Sequence, residues 1–503
     1  MEENLFGQFL YEKRKQQGLS QYQLGSLLGV SGKAVSKWER GVARPKSQLL
    51  YKLSAVLGVT ADALLIGAEY PRAGSAGCLS EPWRDRLWDE AYRHLRERYG
   101  DRPPIEIVSR FENEKLVLAN TDIVQFFRVI SAMAKKAEES GMPVFLQGSA
   151  GASFLAYLFG ASDVNPLPAH YHCPRCRAVE FVPGMADGWM LAPKACARCG
   201  TPLVRDGHDM PFEVLRHTIG RNMGFELVLC EGFYETAKSI LLSGLPGYMV
   251  TVLEPPAESM ARPGVSKVRT FVCSPMGMGH ANGTCAVRCS QVEYQDRIYG
   301  KPYISLLSYD AYERCAALER RVDVARSDID ILDREAVELL LRGETDGIPD
   351  FGLYDMKELL ARFRPGHLGD AIAVYGIGLL ASALPREEAS AFIRGIASLS
   401  EAIVYRDDVF RYLDSRLKEH GYYDFGLAYA VMDRARRGAY RGQGMDPHTK
   451  AMLRDIGVEE HYISRLEKVP YLFPKSQGIV SVKYALTLLW IKVHHPEDFR
   501  RLL

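Results

Sequence analysis

The chain has 503 residues, with 63 lysines and arginines against 62 aspartates and glutamates, a formal net charge of +1 and 47% hydrophobic residues. That length predicts two to four domains with a sizeable buried core. The even charge balance excludes a globally basic nucleic-acid binder, so any affinity for DNA must come from a local patch. Met1–Gly18 is polar and charged and lacks the apolar run of a signal peptide. The longest apolar stretches, around Ala371–Leu384 and Tyr484–Ile491, are too short or too interrupted to span a bilayer. Cys78, Cys230, Cys273, Cys285, Cys289 and Cys315 show no paired framework, which predicts a reducing, cytoplasmic setting with no membrane partner.

In chain order, Leu5–Gly18 sets apolar residues at 5, 9 and 10 against Lys13, Arg14 and Lys15, predicting a first helix. Ser20 is a good N-cap for a second over Gln21–Leu28. Gly29-Val30-Ser31 supplies a turn, and Ser31 caps a third helix over Gly32–Arg40. Two more short helices are predicted at Ser47–Leu57 and Thr60–Leu65. Short helices with a glycine-containing turn between the second and third describe a helix-turn-helix module. The string SQYQLGSLLGVSGKAVSKWERG resembles the Cro/repressor (XRE-type) family in its Ser-Gln start, its Leu-Gly-Val turn and its Ser-Lys-Trp-Glu-Arg-Gly ending. The resemblance implies that the third helix enters the major groove of double-stranded DNA. Gly32, Lys33 and Lys37 would then face bases, with Ser31 and Ser36 beside them, while Gln21 and Gln23 would lie near phosphates. Trp38 is expected as the apolar anchor of the module. Such modules usually read paired half-sites, which implies a homodimer. The alternative is a helix-turn-helix used for protein contacts.

Gly67–Ser80 is small, polar and turn-rich, as a linker would be. Beyond it the pattern predicts longer helices at Trp83–Arg98, Pro104–Leu116 and Asp122–Ser140. Leu146–Phe159 reads as a Gly/Ser loop running into an apolar helix, whose N–H groups would suit an anion. A tight strand-to-helix turn has the same pattern. Cys173-x-x-Cys176 and Cys196-x-x-Cys199 follow, with residues 177–195 between them. Two such knuckles at this distance are what a tetrahedral zinc site needs. Four thiolates leave no open coordination position, so the Zn²⁺ expected here is structural.

Around these cysteines the segments ERYGDRPPIEIVSR, QGSAGASFLAY, VNPLPAHYHCPRC, CARCGTPL and DGHDMPFE run in one order. That order resembles the bacterial C-family DNA polymerase III alpha subunit of the zinc-containing PolC type. GHANG (279–283), GIPDFG (347–352) and YLFPKSQGIVSVKYALTLLWIKVHHP (471–496) extend the resemblance over residues 81–500. The expected fold is therefore multidomain: an all-α helix-turn-helix bundle, then an α+β polymerase-like palm and fingers body with an inserted zinc ribbon. The expected boundaries are 1–67 for the helix-turn-helix, 68–80 for the linker and 81–164 for thumb and palm helices. The ribbon is expected at 165–213, the palm at 214–325 and the fingers at 326–503. No room remains here for the family's exonuclease, phosphoesterase or duplex-binding modules.

Nucleotidyl transfer uses two metal ions held by clustered carboxylates. In the family these come from P-D-I-D-L-N and L-K-L-D segments. The resemblance places their three aspartates on Phe225, Leu227 and Leu307, with Glu226 pointing to the opposite strand face and Asp310 three residues too far on. The family's R-G-S has become Gln147-Gly148-Ser149, its R-I-S-G-L-S-H has become AVYGIGL (373–379), and its F-P-K-A-H keeps only Lys475 before Ser476 and Gln477. Gly148, Ser149 and Lys475 are thus the remnant of a nucleotide site. Three readings follow. The first is a sequence-specific DNA-binding protein, a regulator or replication-associated factor, with a catalytically inactive body. The second is an active C-family polymerase using Mg²⁺, which a carboxylate cluster on the folded palm would support. The third is a decoy that captures replisome proteins.

Elsewhere, His494-His495 is expected to be a helix-end feature, and the acidic runs Asp323–Asp333 and Asp407–Asp414 to be solvated helix faces. Arg434–Arg441 (RARRGAYR) combines four arginines with Tyr440, a set that suits phosphates and base stacking.

Overall fold

A computed structural model describes residues 5–28, 30–43, 45, 49, 53, 56–57, 82–119, 121, 123–142, 144–219, 224–245, 248–254, 265–275, 284–288, 302–324, 328–352, 354–399, 402–422 and 425–501. The chain divides into two compact units, one built on residues 1–79 and the other on most of the remainder.

The first unit carries α1 (Leu5–Gln16), α2 (Gln21–Leu28) and α3 (Gly32–Glu39). Phe6, Phe9 and Leu10 of α1 meet Leu24 and Leu28 of α2 and Val35 and Trp38 of α3, with Leu53 and Leu57 closing the cluster. Gly25 matters here, because a Cβ at this position would lie 2.8 Å from the Val30 carbonyl oxygen. Gly29, most of the helices expected at Ser47–Leu57 and Thr60–Leu65, and the linker 68–80 lie outside the described residues.

The second unit opens with α4 (Pro82–Tyr99), α5 (Ile105–Ala119) and α6 (Val124–Glu139), close to the three helices read from the sequence. Strand β1 (Val144–Gln147) leads through a 3₁₀ turn to the short α7 (Phe154–Leu158). Next come the small strands β2 (His170–His172), β3 (Val179–Phe181) and β4 (Val204–Asp206), an antiparallel sheet in the order β3-β2-β4. Helix α8 (Phe212–Ile219), β5 (Gly224–Leu229), α9 (Tyr234–Gly244), β6 (Tyr248–Glu254), β7 (Val265–Pro275), β8 (Thr284–Arg288) and β9 (Tyr303–Tyr309) follow. These strands join β1 in a six-stranded mixed sheet, order β1-β5-β9-β7-β6-β8, in which β5/β9 and β6/β8 are parallel. Strands β5 and β9 are central in this sheet, and their Phe225, Leu227, Val228, Ile304, Leu306 and Leu307 are buried.

One face of this sheet is covered by α6, where the Phe126 ring stacks on Phe225 at 5.5 Å and Phe127 meets it edge-on at 5.3 Å. The other face carries Phe145, Val228 and Leu307 into the main apolar core, against Tyr312 and Tyr484. The chain then continues as α10 (Asp310–Val322), α11 (Arg334–Arg342), α12 (Tyr354–Phe363), α13 (Leu368–Ser382), α14 (Arg386–Arg394), α15 (Arg406–Glu419), α16 (Gly426–Ala435), α17 (Pro447–Asp455), α18 (Glu460–Leu466), α19 (Lys475–His494) and α20 (Pro496–Arg500). Helix α19 is apolar on nearly all sides because it is buried on nearly all sides. Tyr405 wedges between α13 and α19: its hydroxyl donates to the Ile372 carbonyl at 2.6 Å, and a Cβ at Gly478 would lie 2.1 Å from that hydroxyl. Among the described residues no single helix is long and apolar enough to cross a membrane.

Candidate functional site

Three places bear on function, and the first is α3. A reciprocal capping box opens α2: the Gln23 N–H donates to Ser20 Oγ at 3.1 Å and the Ser20 N–H to Gln23 Oε1 at 2.8 Å. Ser31 Oγ accepts from the Ala34 N–H at 3.3 Å and so fixes the start of α3. At Gly32 a Cβ would come within 3.1 Å of the Tyr22 Cα, so glycine lets α2 and α3 approach. Val35 and Trp38 point into the core, with Trp38 as the expected anchor. Lys33 and Lys37, one turn apart, are exposed, and Ser36 is half-buried between them. A buried Arg14–Glu39 ion pair at 2.5 Å ties the end of α3 to α1, and Gln21 Nε2 donates to Glu39 Oε2 at 2.6 Å. Of the seven candidates, Gln21, Gln23 and Ser31 thus make bonds that build the module. Lys33 and Lys37 are the cationic side chains offered outward from α3. The Arg14–Glu39 pair carried no local sequence signal, since its partners are far apart along the chain.

The second place is the four-cysteine cluster. Both knuckles make one turn: the Cys173 N–H donates to Ala178 O and the Cys196 N–H to Thr201 O, each at 2.8 Å. The residue after each second cysteine is left-handed, Arg177 at φ 61° and Gly200 at φ 73°. Glycine takes this conformation freely and arginine pays roughly 1–2 kcal/mol. Cys173 Sγ lies 3.5 Å from Cys199 Sγ, and Cys176 Sγ lies 3.5 Å from Cys196 Sγ. A zinc tetrahedron with bonds of about 2.3 Å has sulfur–sulfur edges of roughly 3.8 Å. The donor set and the spacing therefore both fit a zinc ion, and hydrogen bonding with Thr201 lowers the Cys199 thiol to about 6.

The third place is the pair of neighbouring strands, β5 and β9, that carries Phe225, Leu227 and Leu307. Phe225, Leu227 and Leu307 are each fully buried. They do not share a face. Phe225 packs on α6, and Leu227 follows it by strand alternation. Leu307 pairs with Val228 in the parallel register and so faces the other way. Glu226 also lies on that other face, where it belongs to a polar row of Gln147, Glu226, Ser305 and Thr270 across β1, β5, β9 and β7. The Thr270 and Ser305 hydroxyls are 2.8 Å apart. Glu226 is the sole carboxylate in this row. Among the described residues the groupings that could hold a metal are the four cysteines and His170, His172 and Asp206, neither on the six-stranded sheet. Asp310 begins α10, and its side chain lies outside the described residues.

Of the three expected nucleotide residues, Gly148 and Ser149 sit in the turn after β1, and α19 starts against that turn at Ser476. Ser476 Oγ donates to the Gly148 carbonyl at 2.7 Å, and Arg406 Nη2 donates to Ser149 Oγ at 2.6 Å. Next to Ser476, the Lys475 ammonium is paired with Asp408 at 2.9 Å, and its backbone N–H donates to Asp407 at 2.8 Å. The sequence had placed Asp407 on a solvated face. It is buried instead, and burial raises its carboxyl above the ordinary range. The helix N-terminus expected to suit an anion is likewise taken. Glu114, 1% exposed, accepts from the Phe154 N–H at 2.9 Å, from the Leu155 N–H at 3.2 Å and from the Ser153 hydroxyl. Glu114 and Arg406 have no local sequence signal, and Asp407 has a misleading one, because their partners are remote in sequence.

Remaining features resolve as structure. Tyr440 is 1% exposed, so it has no face for a base. Arg434 stacks on it, Arg436 and Arg437 pair with Asp433, and Arg441 pairs with Glu388. His494 sits 3.4 Å from Asp333 and against Trp490. On α13, the Tyr375 hydroxyl donates to Asp350 at 3.1 Å, and burial pushes the Asp350 carboxyl up to about 6.

Residues 10–64 match a family model described as helix-turn-helix, and residues 85–219 match one described as the bacterial DNA polymerase III alpha NTPase domain. DNA polymerase III PolC-type of Lactococcus lactis is 24% identical over 83% of this chain and 29% of its own length. The body is PolC-like. The proteins of that name from Thermotoga maritima and Ureaplasma parvum are each 24% identical over 82% of this chain, covering 34% and 32% of their own lengths. The chain thus spans about a third of the length of the curated relatives it matches. The four cysteines lie within the PolC-like segment matched at residues 85–219.

Proposed function

We propose that this chain is a sequence-specific DNA-binding protein of the bacterial cytoplasm whose PolC-like body does not catalyse nucleotide addition. The carrying observation is that the two strands on which the resemblance sets the family's aspartates offer a single carboxylate among the described side chains. Phe225 and Leu227 are buried under α6, Leu307 faces the opposite side, and one carboxylate, Glu226, stands in the polar row. One carboxylate does not hold two divalent ions in line with a 3′-hydroxyl and a leaving pyrophosphate. The Lys475–Asp408 pair supports the same reading, because an ammonium already answered by a carboxylate offers little to a triphosphate. Exposed Lys33 and Lys37 of α3 would contact the DNA major groove, with Ser31, Gly32 and Ser36 beside them and Gln21 and Gln23 toward phosphates. A homodimer would read paired half-sites. A structural zinc in the four-cysteine cluster would cross-link its two knuckles and supply no chemistry to the substrate. Replisome proteins are the partners that a PolC-like body would meet.

The test is primer extension with deoxynucleotides and Mg²⁺ or Mn²⁺, run beside DNA-binding selection from a random duplex library. The expected result is an enriched duplex sequence and no extension. Extension that disappears in Glu226→Gln would establish the polymerase reading. Capture of replisome proteins with no enriched duplex would establish the decoy.

A further inference from the structure

We propose that the ribbon holds a second divalent transition-metal ion, bound by His170, His172 and Asp206 and separate from the four cysteines. His170 and His172 are two residues apart on β2, so their side chains leave the same face of the strand. Asp206 of β4 is the direct cross-strand partner of His170. One ligand atom from each of the three residues can be chosen such that all lie within 4.8 Å of one another. A metal with bonds of about 2.0–2.1 Å brings tetrahedral ligands to roughly 3.4 Å apart, so a small inward turn of the side chains completes the site.

The protonation pattern is that of metal ligands. His170 Nδ1 lies 2.7 Å from the Pro168 carbonyl oxygen, which fixes the proton on Nδ1 and turns the bare Nε2 inward. His170 is fully buried, its Nε2 has no hydrogen-bond partner among the described residues, and neither does the Nδ1 of His172, itself 8% exposed. Two buried ring nitrogens without partners on one strand face are costly in a folded protein, at about 1–3 kcal/mol each. Asp206 is oriented by its own shell: Oδ2 accepts from the Tyr157 hydroxyl at 2.6 Å and from Asn165 Nδ2 at 2.7 Å, and Oδ1 accepts from the Gly207 N–H at 2.8 Å. Asn165 Nδ2 also donates to the Tyr99 hydroxyl, and the Tyr99 ring packs against both imidazoles at 5.9 and 5.8 Å. Arg98, stacked on Tyr157 at 4.3 Å, offsets part of the Asp206 charge from outside. Two neutral imidazoles and one carboxylate in a dry pocket suit Zn²⁺ or Co²⁺ over Mg²⁺ or Ca²⁺. With water as fourth ligand the ion would stitch β2 to β4.

The test is a Co²⁺ titration of the full chain after removal of metal, followed by absorbance. The four-cysteine site reports itself by sulfur-to-cobalt charge transfer in the near ultraviolet. A nitrogen and oxygen site adds visible d–d absorbance without that band. The expected result is two equivalents, the second free of charge transfer, and elemental analysis that falls from two Zn²⁺ to one in His172→Val. Loss of the charge-transfer equivalent alone is expected in Cys176→Ser plus Cys199→Ser. A wild-type endpoint at one equivalent overturns the proposal, and that titration decides even where His172→Val does not fold. Two equivalents that persist in a folded His172→Val would overturn it equally.

Discussion

Removing the Glu114 carboxylate should be among the most damaging single changes in the second unit. Glu114 is 1% exposed and answers three donors at once: the Ser153 hydroxyl and the N–H groups of Phe154 and Leu155. Arg110 Nε lies 3.5 Å away, and that guanidinium also donates to Met210 O at 2.7 Å and Ala152 O at 3.0 Å. Glu114→Ala leaves two backbone donors unanswered, each costing about 1–3 kcal/mol, beside a buried cation, Arg110, that has lost its leading carboxylate partner. Breaking a buried pair by deleting one partner costs about 3–5 kcal/mol in total. Glu114→Gln keeps the shape and one acceptor oxygen but turns an N–H₂ toward donors, so its cost should fall near half of that. Urea unfolding followed by tryptophan fluorescence measures the order wild type, then Gln, then Ala. A Glu114→Ala variant within about 1 kcal/mol of wild type would refute the reasoning, because unanswered buried donors do not come that cheaply.

Two further outcomes are expected. Asp350 is raised from 3.8 to about 6 by burial, so the folded chain keeps a proton that the unfolded chain releases between those values. Stability from this group is therefore complete below about pH 4, lost as pH rises through about 6, and absent above it. Asp350→Asn tolerates the positive φ of 62° and should stabilise the chain by about 1–2 kcal/mol at pH 7.5, with the gain vanishing toward pH 4 in paired urea melts. Lys33→Ala and Lys37→Ala should each weaken binding to a selected duplex by about tenfold or more, read by fluorescence anisotropy, since a base contact is worth about 1–3 kcal/mol. Affinities unchanged in both would remove α3 as the reading helix.

What was legible in the sequence was what local pattern encodes. The capping residues Ser20 and Ser31, the apolar spacing of α1 to α3 and the paired CxxC turns needed no distant partner. The strands β6 to β8 were missed because they mix polar and apolar residues and take their identity from pairing with one another and with β9. The roles of Glu114, Arg406 and Asp407 depended on contacts between residues 39 or more positions apart, which no periodicity announces. Tyr440 was misjudged for a related reason, since an aromatic among arginines looks the same whether it faces water or the core. His172 carries no metal signal in the sequence, and only the pairing of β2 with β4 sets it near Asp206.

The placement of Phe225, Leu227 and Leu307 bears on how such a chain can change over time. If the proposed reading holds, the route back to metal-dependent chemistry is not a matter of three substitutions. Aspartates at 225 and 227 would sink two charges among Phe126 and Phe127, and an aspartate at 307 would emerge on the far side of the sheet. Reversal would need β5 to slip by one residue, turning its whole apolar set over at once. On the proposed reading the apolar packing acts as a ratchet: drift can go on modifying the scaffold, but single substitutions at these positions do not build an ion-binding face.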